Sequence, residues 1–296
     1  MTIKTWQKIA GTAAVMLGMG MLGNAAHAGS RDCGGTTPDP GCYTWTFDST
    51  GDIAGVNGQP GNTINASASG WANTSGTNGA SNTLLQSAYV VSYGGGLGVT
   101  NKDCNANYGA GACNTGTGEG GDSYEGSLST GNGTRPPEHA VDNSDRFDSI
   151  LFNFGSTEVN LTTFSAGYVY GDSDFTVLAY AGDDGALNQT NPAGLTYAGL
   201  LTSGWKLIGN YAAGSSTGSH DFANDTSSSL WMIGALNTLT GIGGVQDGKI
   251  DAFKILSVAG CVVPPKGAPE PGTLLLMGAG LLGLTRYSRR RLVRAA

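Results

Sequence analysis

From residue 141 to 258 the chain is a succession of short aromatic and β-branched runs, each closed by Gly, Asp, Asn or Ser, with no helical period. That pattern constrains the fold more than any other feature. Runs of four to nine residues between turn signals build strands joined by tight connections. Strands are expected over 146–154, 159–166, 175–181, 205–211, 229–234 and 251–258. The alternation Tyr43-Thr44-Trp45-Thr46-Phe47 predicts another near the start, and 83–93 one more. Residues 48–82 have turn and loop composition, and Gly94 to Gly133 reads as a Gly/Asn-rich insertion. The class is all-β, a β-sandwich.

Composition agrees. Glycine supplies 50 of 296 residues and charged side chains only 12%. Long surface helices need Ala, Leu, Glu, Lys and Arg, and these are not what the chain is rich in.

Charge is placed unevenly. Lys4, Lys8, Arg286, Arg289, Arg290, Arg291 and Arg294 all lie in the end segments. The middle keeps eight basic against 22 acidic side chains, a net charge near −14. Such a surface repels nucleic acid, which binds to basic patches. It suits divalent cations or simple solubility.

The ends carry processing signals. Lys4 and Lys8 precede an apolar run from Ile9 to Leu22, and Ala26-His27-Ala28 has the small-x-small pattern of a cleavage point. Residues 1–28 read as a signal peptide for signal peptidase, giving a mature start at Gly29. At the other end Pro269-Glu270-Pro271-Gly272 leads into an apolar run from Thr273 to Leu284, followed by Arg286, Arg289, Arg290 and Arg291. An apolar segment followed by arginines stops transfer and leaves the basic end in the cytoplasm. A short C-terminal apolar helix is expected there. Segment 269–296 resembles the PEP-CTERM sorting signal of Gram-negative bacteria, and 263–268 is the linker before it. The resemblance implies cleavage near Pro269, Glu270 and Pro271 by exosortase, a membrane-embedded protease. It also implies membrane contact through the tail before cleavage, then the cell surface or extracellular matrix.

In an exported chain, disulfides are the default reading of cysteines. Cys33 and Cys42 enclose one short loop, and Cys104 and Cys113 another of the same spacing. These local pairs are the expected disulfides, which leaves Cys261 over.

A second resemblance runs through the middle. Gly96-Leu97-Gly98-Val99, His139-Ala140-Val141-Asp142-Asn143, Asp172-Ser173-Asp174, Gly204-Trp205 and Ser229 to Ala235 are similar to exosortase-dependent surface proteins with a jelly-roll ectodomain. A jelly-roll-like sandwich over 29–262 is what this implies. It is silent on activity.

Acidic residues at strand ends are the main site candidates. Asp142, Asn143, Asp145 and Asp148 surround one loop, Asp172 and Asp174 follow another strand, and Asp48 and Asp251 flank the first and last strands. Hard oxygen ligands at loop ends suit calcium. The candidate ligands are Asp48, Asp142, Asp145, Asp148 and Asp251, with turn capping as the alternative role. Trp45, Trp71, Trp205 and Trp231, with Tyr168, Tyr170 and Tyr180, are candidate sugar platforms or core.

Enzyme motifs fare poorly. Gly214-Ser215-Ser216-Thr217-Gly218 fits G-x-S-x-G beside His220, but no helix pattern follows it. Gly116 to Gly121 fits G-x-G-x-x-G outside any βαβ unit. His139, and the glutamates Glu119, Glu125, Glu138 and Glu158, lack a recognisable partner pattern. The expectation is a non-catalytic exported surface or matrix protein, processed by exosortase and associated with exopolysaccharide. A calcium-dependent carbohydrate-binding module and an extracellular hydrolase are the alternatives.

Overall fold

A computed structural model describes residues 41–47, 53–56, 63–75, 84–101, 139–144, 146–182, 191–222, 224–240, 248–263 and 276–282. The strands among them are β1 (Cys42–Thr46), β2 (Ile53–Val56), β3 (Thr63–Ser75), β4 (Leu84–Tyr93), β5 (Gly96–Thr100), β6 (Val141–Asp142), β7 (Asp148–Asn153), β8 (Val159–Gly171), β9 (Phe175–Tyr180), β10 (Trp205–Tyr211), β11 (Gly218–Asp221), β12 (Leu230–Ala235) and β13 (Asp251–Val262). One five-residue helix, α1 (Tyr197–Leu201), starts at a Thr196 side chain that accepts from Gly199 N.

Named strand pairings are antiparallel throughout, and together they make one curled sheet. One layer holds β1, β2, β5, β6, β8, β11 and β13. The other runs β10-β9-β12-β7. Both β3 and β4 pass from one layer to the other: β3 pairs with β2 through Thr63–Ala66 and with β7 from Ser67 on. β4 pairs with β3 at one end and β5 at the other.

Period-two alternation assigns the core. On β7, β9 and β12, Ile150, Phe152, Val177, Trp231 and Ile233 face inward against Trp45, Phe164 and Phe253 of the first layer. Burial of each such side chain contributes about 1.5–3 kcal/mol. The intervening Leu151, Leu178, Leu230 and Met232 face the other way, where Trp71, Leu85, Trp205 and α1 cover them. The second layer is thus buried on both faces, which is why its strands read as nearly continuous apolar runs.

Three expectations change. Residues 53–56 and 63–75 are strands rather than loop. Their small residues belong to a crowded crossing: a Cβ on Gly70 would sit 2.8 Å from Val90 Cγ2. Gly96–Thr100, placed in the insertion by its glycines, is a fully buried strand. Gly98 is there because any Cβ would collide with the His139 carbonyl. Residues 102–138 lie outside the described residues.

The third change is the disulfide. Cys42 pairs with Cys261, not with Cys33. β1 lies antiparallel to β13 with Cys42 directly opposite Cys261 and the Cα atoms 4.1 Å apart. Val262 N donates to Gly41 O at 2.8 Å, so the cysteines occupy the adjacent, closely spaced non-hydrogen-bonded position. The staple closes a separation of 219 residues. In the chain-entropy model a loop that long is worth about 5 kcal/mol. Cys33, Cys104 and Cys113 lie outside the described residues.

Candidate functional site

β8 and β13 run alongside each other for their whole length, so their far ends bring Asp172 next to Asp251, bridged in parallel. Asp174 lies two residues further on, just before β9. Together Asp172, Asp174 and Asp251 place a carboxylate oxygen each within 4.8 Å of one another, and all three are buried.

Protein donors hold this node. Asp172 Oδ1 accepts from Ser173 N and its Oδ2 from Lys249 Nζ, each at 2.9 Å. Asp174 Oδ1 accepts from Ala213 N at 2.8 Å. Asp251 Oδ1 accepts from Asp174 N at 3.1 Å, and its Oδ2 from Asn143 Nδ2 at 2.6 Å. Burial first, and then the charges of Asp174 and Asp172, push the Asp251 carboxyl up to about 7; the Asn143 and Asp174 N–H bonds act against that rise.

The expected ligand set is therefore redistributed. Asp251 meets Asp172 and Asp174, whereas Asp142 and Asp148 lie outside that group. Asp142 Oδ1 accepts from Ser144 N at 2.9 Å, within its own loop. Asp148 Oδ1 accepts from buried Asn101 Nδ2 at 3.1 Å. Both therefore bind their surrounding chain. Asp48 and Asp145 lie outside the described residues. Asp172 and Asp174 carried a signal in the sequence, an Asp-x-Asp after a strand, but nothing local tied them to Asp251.

The four candidate tryptophans are core. Trp45 and Trp231 are fully buried, and Trp71 and Trp205 nearly so. Their indoles serve the fold: Trp231 Nε1 donates to Val159 O and Ser228 O, each at 3.0 Å. Tyr168, partly exposed on β8, carries Lys254 Nζ 5.3 Å from its ring centroid. Burial and the neighbouring Tyr170 raise its hydroxyl pKa.

No nucleophile elbow exists at 214–218. Gly214 is a turn residue with φ 71°, and the chain continues into β11 rather than a helix. His220 packs against Phe164, with ring centroids 5.1 Å apart, and burial lowers its pKa. His139 Nδ1 lies 2.9 Å from Thr100 Oγ1.

At the C-terminal end the backbone is helical over 276–282, with its side chains exposed. No helix among the described residues is long and apolar enough to cross a membrane. Pro269, Glu270, Pro271, Arg286, Arg289, Arg290 and Arg291 lie outside the described residues, as do residues 1–28. Residues 268–291 match the family model described as the PEP-CTERM protein-sorting motif. The chain carries a PEP-CTERM signal. That signal implies export, transit through the membrane and processing by exosortase. The PEP-CTERM match covers the tail alone. No curated protein and no solved structure matches the chain.

Proposed function

We propose that the processed chain is a non-catalytic surface or matrix protein that associates with exopolysaccharide. The observation that carries this reading is the PEP-CTERM motif at 268–291, which implies export and transit through the membrane. The stapled sandwich suits that destination, because a disulfide persists in an oxidising compartment.

The test compares the producing strain with a strain that makes no exopolysaccharide. The protein partitions into the matrix fraction of the first and into the medium of the second. Equal partition in both strains sinks the association.

A second reading, a calcium-holding module, is favoured by the three buried carboxylates at the ends of β8 and β13. An ionised carboxylate offers about four lone-pair positions, so it can accept protein hydrogen bonds and a cation at once. Calcium takes six to eight oxygens at about 2.3–2.6 Å. Thermal unfolding with calcium against chelator decides it: a calcium-dependent rise in midpoint, lost in Asp172→Asn, supports the module. No shift removes it.

A further inference from the structure

β7 stops pairing with β3 at the Asn153–Ser67 pair, while β3 extends beyond it to Thr63 with β2 as its partner. The chain leaves β7 through a turn at 154–157. Between that turn and the start of β3 lies a groove of about 430 Å³.

Its chemistry is uniform. Thr63, Asn65 and Ser67 are exposed and alternate along β3 with Ile64 and Ala66, which pack on the core, so the three share one outward face. Asn153 is the register partner of Ser67 and belongs to the same face. Ser156 and Thr157 complete the wall, and among the described residues no ionisable side chain lines the groove. The row from Thr63 to Ser67 is about 13 Å long at strand rise.

The floor is rigid. Phe154 is buried and meets Trp45 edge-on with ring centroids 4.7 Å apart. Trp45 Nε1 donates to Ile64 O at 2.8 Å, fixing the β3 backbone beneath the row. At the rim, Asn153 Oδ1 accepts from Gly155 N at 2.8 Å, and Thr157 N donates to Phe154 O at 3.1 Å. Asn153 therefore keeps its Nδ2 as a donor at the groove mouth.

We propose that this groove, lined by Thr63, Asn65, Ser67 and Asn153, is a binding site for a neutral, polyhydroxylated glycan chain. Hydroxyls and amides both donate and accept, as sugar hydroxyls do. A uronic-acid or sulfated chain is held best by a cationic partner, which none of the groove's described residues offers. An extended sugar chain lies along the strand row, its hydroxyls bonded to alternate side chains. The inference rests on the exopolysaccharide reading and assigns it a site and a ligand class.

The experiment takes the exported, processed protein and the producing organism's own exopolysaccharide, split by anion exchange into neutral and acidic fractions. Retardation in gels containing each fraction gives relative affinities. The neutral fraction retards the wild-type protein. Asn65→Asp and Asn153→Asp, which keep shape but remove donors, weaken this at least tenfold, as does the blocking Ser67→Arg. Ser219→Asp, on exposed β11 of the other layer, leaves it unchanged. Thermal unfolding verifies that each variant is folded; one that is not is replaced by Thr63→Asp in the same row. Retardation equal in wild type and groove variants overturns the site while leaving exopolysaccharide association standing. Retardation by the acidic fraction alone overturns the ligand class. No retardation by either fraction overturns the association and the site together.

Discussion

Asn143 and Asp251, 108 residues apart, hold each other by three hydrogen bonds. Asp251 N donates to Asn143 Oδ1 at 2.9 Å, Asn143 Nδ2 donates to Asp251 Oδ2 at 2.6 Å, and Asn143 N donates to Asp251 O at 3.2 Å. The same amide also reaches Leu236 O at 3.2 Å. A single asparagine thus ties the loop after β6 to the start of β13 and to the end of β12.

Burial of Asp251, with the charges of Asp174 and Asp172 beside it, sets a pH dependence that the Asn143 bond opposes. Asp251, ordinarily near 3.8, titrates at about 7 in the fold, facing Asp172 and Asp174 with Lys249 beyond on Asp172. The raised value means the folded state favours the neutral acid. Its contribution is full below about pH 4 and is lost as pH rises through about 7. In chelator, the midpoint of thermal unfolding is expected to fall between pH 5 and pH 8, and Asp251→Asn flattens that fall. His220, whose value is lowered, works in the opposite direction and remains in both proteins, so the difference isolates Asp251. Equal slopes in the two proteins contradict the assignment.

The Cys42–Cys261 staple is a stability element. Cys42→Ser or Cys261→Ser costs about 2–5 kcal/mol. At this size that is roughly a 5–15 °C drop in midpoint. The two variants lose the same amount, and reductant reproduces the loss in the wild-type protein. A Cys42→Ser variant as stable as wild type disproves the pairing.

Gly98 and Gly94 make a controlled pair. A methyl at Gly98 runs into the His139 carbonyl, whereas one at Gly94 meets nothing within 4 Å. Gly98→Ala is expected to cost more than about 3 kcal/mol and to deplete folded protein, since neither backbone can withdraw. Gly94→Ala stays near wild type. Calorimetry of both checks this, and equal midpoints refute the buried register of β5.

Processing depends on the tail. Glu270 lies in the matched segment 268–291. Glu270→Ala is expected to leave the exported chain uncleaved in the inner membrane. Intact mass of the membrane and released fractions reads this directly, and normal release of the variant rules it out.

Much of the strand content was legible in the sequence. Runs such as Trp205 to Tyr211 and Leu230 to Ala235 have side chains large enough to announce burial, and they became β10 and β12. β3 and β5 were not legible, because their glycines, alanines and serines read as turn residues. In the fold Gly70 and Gly98 have no side chain because a distant segment of the same chain lies against each, which no local window reveals.

The sequence by itself determined the all-β class, because period-two patterning and turn chemistry act within a few residues. It also determined the export tail, whose order of Pro-Glu-Pro, apolar run and arginines is contiguous. Only the tertiary structure decided which carboxylates meet, which cysteine Cys42 joins, and that Thr63 to Ser67 line a groove with Asn153. Each of those is a contact between strands more than 75 residues apart, and strand pairing of that range is set by the packing of the whole sheet.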